Sequence, residues 1–206
     1  MKVLMLDNYD SFTYNLVQYL EEIIDNKIDV YRNDQITLKE VGAYDTIILS
    51  PGPGVPKDAG ILMDVINEYA TTKNIFGVCL GMQAIGESFG GGLANLEKVH
   101  HGVQTLIIKT EDEEPIFKDV PTAFEAGRYH SWVVEKEKLP DCLQVTAIDK
   151  KGIVMAISHK EYNVRGVQFH PESVMTPDGK TMLRNFINYS NNLKKEKEST
   201  NETYTH

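Results

Sequence analysis

The sequence is short of almost everything that would mark it as other than an ordinary folded chain. Two cysteines in 206 residues, Cys79 and Cys142, do not make a disulfide framework. Neither belongs to a Cys-x-x-Cys pair, so a zinc site has nothing to start from. Positive charge is scarce as well: 21 Lys and Arg stand against 30 Asp and Glu, for a formal net charge of −9. No basic cluster is interleaved with aromatics in the body of the chain, which argues against nucleic acid and anionic membrane as partners. The basic run of Lys194, Lys195 and Lys197 sits among glutamates and reads as a solvated face. Long apolar runs are missing too. The opening MKVLML reaches Asp7 too soon for a signal peptide, and nothing approaches the roughly 18 apolar residues of a membrane span, so a cytoplasmic protein is expected.

What is present suits one globular domain, with 41% apolar residues at a length that can bury a sizeable core. In the first half, apolar runs of strand length alternate with helical spacing. KVLMLD (2–7), IDVYRN (28–33), DTIILS (45–50) and NIFGVC (74–79) read as strands. Leu16, Tyr19, Leu20 and Ile23 repeat at helical spacing with Asp10 or Ser11 placed to cap them. A second helix is predicted from about Asp58 to Tyr69, and a third over LGMQAIGESFG (80–90), stopped by Gly90, Gly91 and Gly92. The expected fold is therefore α/β, with a mostly parallel central sheet flanked by helices. In the second half GVQTLIIKT, TAFEAGRYHSWVVE, LQVTAID, GIVMAISH and VRGVQFH predict additional antiparallel strands, closed by a helix from about Asp178 to Leu193. One domain over 1–193 is expected, followed by a polar tail over 194–206 without periodicity and without structure.

Ligands of open α/β sheets bind outside the carboxyl ends of the strands, and three chemically suggestive segments fall there. The first is Gly77-Val78-Cys79-Leu80-Gly81, with the glycine spacing of a nucleophile elbow between strand and helix. The helix that starts at Leu80 would aim free N–H groups and a positive dipole end at the sulfur, and the Leu80 N–H is placed to receive an oxyanion. A small buried cysteine packed under the sheet is the alternative. Cys142, without an elbow, reads as structural. The second segment is VQFHPES (167–173). Pro171 biases His170 toward extended backbone, where residues two apart share a face, so His170 and Glu172 stand side by side. An imidazole that takes a thiol proton and a carboxylate that orients it are what nucleophilic catalysis needs. His159 and His206 have no such partner and read as structural or surface residues. The third segment, SPGPGVP (50–56), is a rigid turn with exposed amides, from which Gly52 or Gly54 can supply a second oxyanion donor. An ordinary surface loop is the alternative, and the lysine of a phosphate loop is absent from it.

Taken together, DNYDSFTYN (7–15), SPGPG, GVCLGMQ, RYHS (128–131) and GVQFHPES, over nearly the whole chain, resemble the class I (triad) glutamine amidotransferases. The opening and the PGPGVP loop look most like component II of anthranilate synthase, or the related glutaminase subunit of aminodeoxychorismate synthase. The resemblance implies that Cys79 attacks the amide of L-glutamine, with His170 as base and then acid and Glu172 orienting it. It implies oxyanion donors at Leu80 and Gly52. It also implies substrate contacts from Gly52, Pro53, Gly54, Leu80, Gln83, Ser131 and Trp132, while His130 is kept structural. No metal and no cofactor is expected in this subunit. The ammonia is expected to pass to a separate chorismate-using synthase subunit, anthranilate synthase component I. Another thiol hydrolase is the rival enzyme, and a non-catalytic regulatory module would lack one of Cys79, His170 and Glu172. Capping accounts for part of DNYDSFTYN, and the rest is expected to shape the surface near the partner.

Overall fold

The structure, a computed structural model, describes residues 1–203 apart from Lys98 and Asp112. The first half runs β1 (Val3–Asp7), α1 (Thr13–Ile24), β2 (Asp29–Arg32), α2 (Leu38–Val41), β3 (Thr46–Leu49), α3 (Leu62–Tyr69), β4 (Asn74–Val78) and α4 (Leu80–Ser88). The second half runs β5 (Leu93–Asn95), β6 (Val103–Lys109), β7 (Ala123–Arg128), β8 (Trp132–Val134), β9 (Leu143–Asp149), β10 (Val154–His159), β11 (Val164–Val167) and α5 (Gly179–Thr203).

Nine strands form one sheet in the order β2-β1-β3-β4-β11-β10-β9-β6-β7, and β5 pairs with β8 apart from it. The first five in that order are parallel. The additional strands are antiparallel, as the sequence implies, but they continue the same sheet: β10 lies antiparallel to β11, β9 to β10, β6 to β9 and β7 to β6. The joint is β11, which enters parallel beside β4 and sets Gly166 opposite Gly77 and Val167 opposite Val78.

Strand alternation distributes the core between two faces. Val3 and Met5 of β1 join Leu16 and Leu20 of α1 and Leu183 and Phe186 of α5, where Phe76 and Phe186 meet with ring centroids 5.0 Å apart. Leu4 and Leu6 point the other way, to Val41 of α2, Leu62 and Ile66 of α3, and Ile85 of α4. Both faces of β1, β3 and β4 are thus buried, which is why these strands read as continuous apolar runs, whereas β2 at the sheet edge is largely exposed. Each such side chain is worth roughly 1.5–3 kcal/mol of burial.

Two expectations are corrected. Helix α3 starts at Leu62, four residues after Asp58; Pro56–Asp58 forms a separate short 3-10 turn, and Ile61 N–H bonds to the Asn33 carbonyl at 3.0 Å, which pulls the intervening chain out of helical register. The tail expected to lack structure from Lys194 is helical as far as Thr203. Lys-Lys-Glu-Lys-Glu is built from strong helix formers that extend an existing helix without a nucleation cost, and Lys194 pairs with Asp45 at 3.2 Å. Residues 204–206, including His206, lie outside the described residues.

Candidate active site

The neighbouring order β3-β4-β11 brings three loops together at the carboxyl ends of their strands: SPGPG after β3, Cys79 after β4, and Gln168 to His170 after β11. Cys79 has φ 53° and ψ −101°, left-handed backbone on a non-glycine residue. This costs of order 1–3 kcal/mol and persists where surrounding structure enforces it. Here the Cys79 N–H is bound to the Val167 carbonyl at 2.8 Å and its carbonyl accepts from Gln83 N at 3.0 Å. The flanking glycines are demanded by close approach. A Cβ on Gly77 would stand 2.4 Å from the Gly81 carbonyl carbon, and one on Gly81 would stand 2.6 Å from the Leu49 oxygen. Helix α4 begins at Leu80, so the Leu80 N–H lies ahead of the helix ladder, beside the sulfur.

His170 and Glu172 are both nearly fully buried, and His170 Nδ1 meets Glu172 Oε1 at 2.5 Å. Burial by itself lowers the imidazole's proton affinity, but the Cys79 sulfur and the Glu172 carboxylate beside it outweigh that and hold its pKa well above the ordinary 6.5. Nε2 makes no hydrogen bond of ordinary geometry among the described residues, which leaves that nitrogen for proton exchange with the sulfur. Phe12 and Tyr129 pack edge-on against the imidazole, at 6.1 and 4.9 Å between centroids, and keep water from it.

The glycine-rich loop is braced from β1. Asn8 donates through its backbone N–H to Ser50 Oγ and through Nδ2 to the Ser50 carbonyl, both at 2.8 Å, and Asn33 Nδ2 holds Asn8 Oδ1 at 3.0 Å. Gly52 fits under this clamp only because it lacks a side chain: a Cβ would stand 2.5 Å from the Asn8 oxygen and 2.9 Å from Leu80 Cδ2. The DNYDSFTYN segment thus braces the site. The expected cap is corrected: α1 has Phe12 at its N-cap with no side-chain capping bond, and Asp10 instead accepts from Phe12 N at 2.8 Å in the turn ahead of it, while Asn8 fixes the loop and Phe12 reaches the histidine.

A cavity of about 240 Å³ opens over the sulfur. Gly52, Pro53, Gly54, Gln83, Ser131 and Trp132 line it together with Cys79, and six of the seven substrate positions proposed from sequence are therefore brought together. Leu80 is buried and is not part of the wall. The volume lies below the roughly 300–1,000 Å³ of drug-sized sites and suits a ligand of amino-acid size. Gln83 is a buried wall residue rather than an exposed helical one, and its Nε2 donates to the Trp132 carbonyl at 2.9 Å. His130 lines the cavity too, but it is engaged internally: Nδ1 bonds the Trp132 carbonyl and Nε2 accepts from Arg128 Nε, each at 3.0 Å. Burial and the Arg128 charge push its pKa down to about 3, so it is neutral.

Sequence reasoning missed Val99, His100, His101 and Tyr129, which complete the wall. The two histidines come from a loop far along the chain and carry no local signal, whereas Tyr129 lies inside the RYHS motif. Gln168 was also passed over, although extended backbone puts it on the same side as His170. Cys142 is a half-buried free thiol and His159 is stacked on Tyr162 at 4.2 Å, both apart from the site.

A strained cysteine between a parallel strand and a helix, with a buried His-Glu pair on the adjacent strand end, defines an α/β fold built for thiol chemistry. The chain belongs to the class-I glutamine amidotransferase family, whose model matches residues 4–189. A Bacillus subtilis relative named "Aminodeoxychorismate/anthranilate synthase component 2" is 49% identical over 187 residues, covering 90% of this chain and 95% of that one. "Anthranilate synthase component 2" of Cyanophora paradoxa is 46% identical over 92% of this chain and 100% of that one. The "Bifunctional protein TrpGD" of Thermotoga maritima is 43% identical over 97% of this chain, which spans only 34% of that longer protein. Among solved structures, a protein of Thermoplasma acidophilum described as a "putative gmp synthase" component has the same fold, with a TM-score of 0.85 at 24% identity over 96% of this chain and 98% of that one.

Proposed function

We propose that this chain is the glutaminase subunit of an anthranilate synthase. The observation that carries the reading is Cys79 on its strained elbow beside a buried His170-Glu172 pair. The relatives' names supply the pathway. Glutamine enters the cavity with its side-chain amide over the sulfur. The thiol proton resides on His170 Nε2, whose raised proton affinity favours it there, the sulfur attacks the amide carbon, and the oxygen gathers negative charge between the N–H groups of Leu80 and Gly52. Collapse breaks the C–N bond, and His170 returns its proton to the departing ammonia. A water deprotonated by His170 then hydrolyses the γ-glutamyl thioester, releasing glutamate and restoring the thiol. The reaction as proposed uses side chains, backbone amides and water, with no metal or cofactor in this chain.

The ammonia is passed to a chorismate-using synthase subunit, which makes anthranilate for tryptophan biosynthesis in the cytoplasm. Among the described residues no helix is long and apolar enough to cross a membrane. A second reading, service to aminodeoxychorismate synthesis as well, is favoured by the double name of the Bacillus subtilis relative. The test mixes this chain with each type of synthase subunit, chorismate and glutamine. Glutamine-dependent anthranilate is expected, with faster glutamine turnover in the complex than alone. Aminodeoxychorismate alone would overturn the primary reading, and equal turnover with and without the partner would overturn activation by it.

A further inference from the structure

Gln168 is fully buried at the end of β11, two residues before His170, and the reaction set out above gives it no part. Its Nε2 donates to the Cys79 sulfur at 3.4 Å, and its Oε1 accepts from Gln83 Nε2 at 3.2 Å. The chain of bonds continues. Gln83 also donates to the Trp132 carbonyl at 2.9 Å, and that oxygen is held from the other side by His130 Nδ1 at 3.0 Å. His130 Nε2 accepts from Arg128 Nε at 3.0 Å, and Arg128 is tied to the buried Asp149 at 2.7 Å. Because Arg128 can only donate, His130 Nε2 must accept, and its proton sits on Nδ1. An amide has one donating and one accepting end. With the accepting end of Gln168 taken by Gln83, its NH₂ end faces the sulfur, and a flip would set donor against donor.

We propose that Gln168 is a further catalytic residue: its Nε2–H stabilises the thiolate of Cys79, and Gln83, His130 and Arg128 hold the amide in the orientation that permits this. The role rests on Cys79 being the nucleophile of the proposed glutaminase reaction. When His170 takes the thiol proton, the S–H electron pair stays on sulfur, and the Gln168 N–H then donates to an anion. Hydrogen bonds to ionised acceptors are about twice as strong as neutral ones. The bond serves again when the thioester is hydrolysed and the sulfur leaves as thiolate.

The test is alkylation of Cys79 by iodoacetamide across pH, followed by mass spectrometry, in the full chain and in Gln168→Met and Gln168→Glu variants whose folding is checked by circular dichroism. The titratable groups around the sulfur are His170 with Glu172 and Asp10 behind it and His100, His101 and His130 on the cavity wall, and none is altered. Removing a donor to an ionised group is expected to slow alkylation of Gln168→Met about tenfold at neutral pH and to move the midpoint up by about one pH unit. The near-isosteric Gln168→Glu, which sets an acceptor against the sulfur, moves it further. A midpoint unchanged in both folded variants overturns the role of Gln168, because a packing residue would not shift it. A wild-type Cys79 whose alkylation glutamine does not slow counts instead against the glutaminase reading.

Discussion

His170 Nδ1 lies 2.5 Å from Glu172 Oε1, with both side chains closed off from solvent, so this carboxylate orients the imidazole and, together with the Cys79 sulfur, favours its charged form. Glu172→Gln is expected to lower glutamine hydrolysis by roughly 10²–10⁴-fold, the usual range for loss of general acid-base catalysis. The same change has a pH signature. The folded pKa of His170 is raised above 6.5, so the native state holds the extra proton. The stability this gives is complete below pH 6.5 and is lost as pH rises through the raised folded value. Melting curves should therefore show the variant furthest below wild type in mild acid and closest to it in alkali.

The elbow strain predicts an inversion of the usual ranking of alanine and glycine. With Cys79 at φ 53°, Cys79→Gly relieves a conformation that Cys79→Ala keeps. The glycine variant should be the more stable of the two inactive proteins, by about 1 kcal/mol or more, in a denaturant titration.

Gly52 offers a test of the oxyanion site that spares the sulfur. In Gly52→Ala the new Cβ would meet the Asn8 oxygen at 2.5 Å and displace the loop. Turnover should fall by roughly 10²-fold or more, while alkylation of Cys79 by iodoacetamide, which needs no oxyanion donor, keeps its wild-type rate.

His130 acts in the opposite sense to His170. Its folded pKa of about 3 lies below the ordinary 6.5, so the unfolded state binds the extra proton first, and stability falls as pH drops from 6.5 toward 3. His130→Gln should be less stable than wild type at neutral pH but should lose less stability on acidification, as read from denaturant midpoints at pH 7 and pH 4.

The parallel half of the fold was legible because β1, β3 and β4 are buried on both faces and α1 and α3 each carry one apolar stripe. That the antiparallel strands extend the same sheet was not legible, since β11 pairs with β4 from far along the chain through backbone bonds that carry no side-chain signature. At the site, Cys79, His170 and the PGPG loop could be read because each is a local pattern with a mechanical reason. His100, His101 and the links from Asn8 to Ser50 and from Gln83 to Gln168 join distant segments, and only the folded chain brings them together. The end of α5 was misread because polar, charged sequence resembles a solvated coil until an established helix leads into it.

The most direct test of Cys79 as the glutamine nucleophile is to mix the protein with isotopically labelled glutamine, quench in acid within one turnover, and map the label by mass spectrometry. A γ-glutamyl thioester on Cys79, absent from Cys79→Ser, is the expected result. Glutamine hydrolysis that proceeds with no label on Cys79, or with label on another residue, would contradict it.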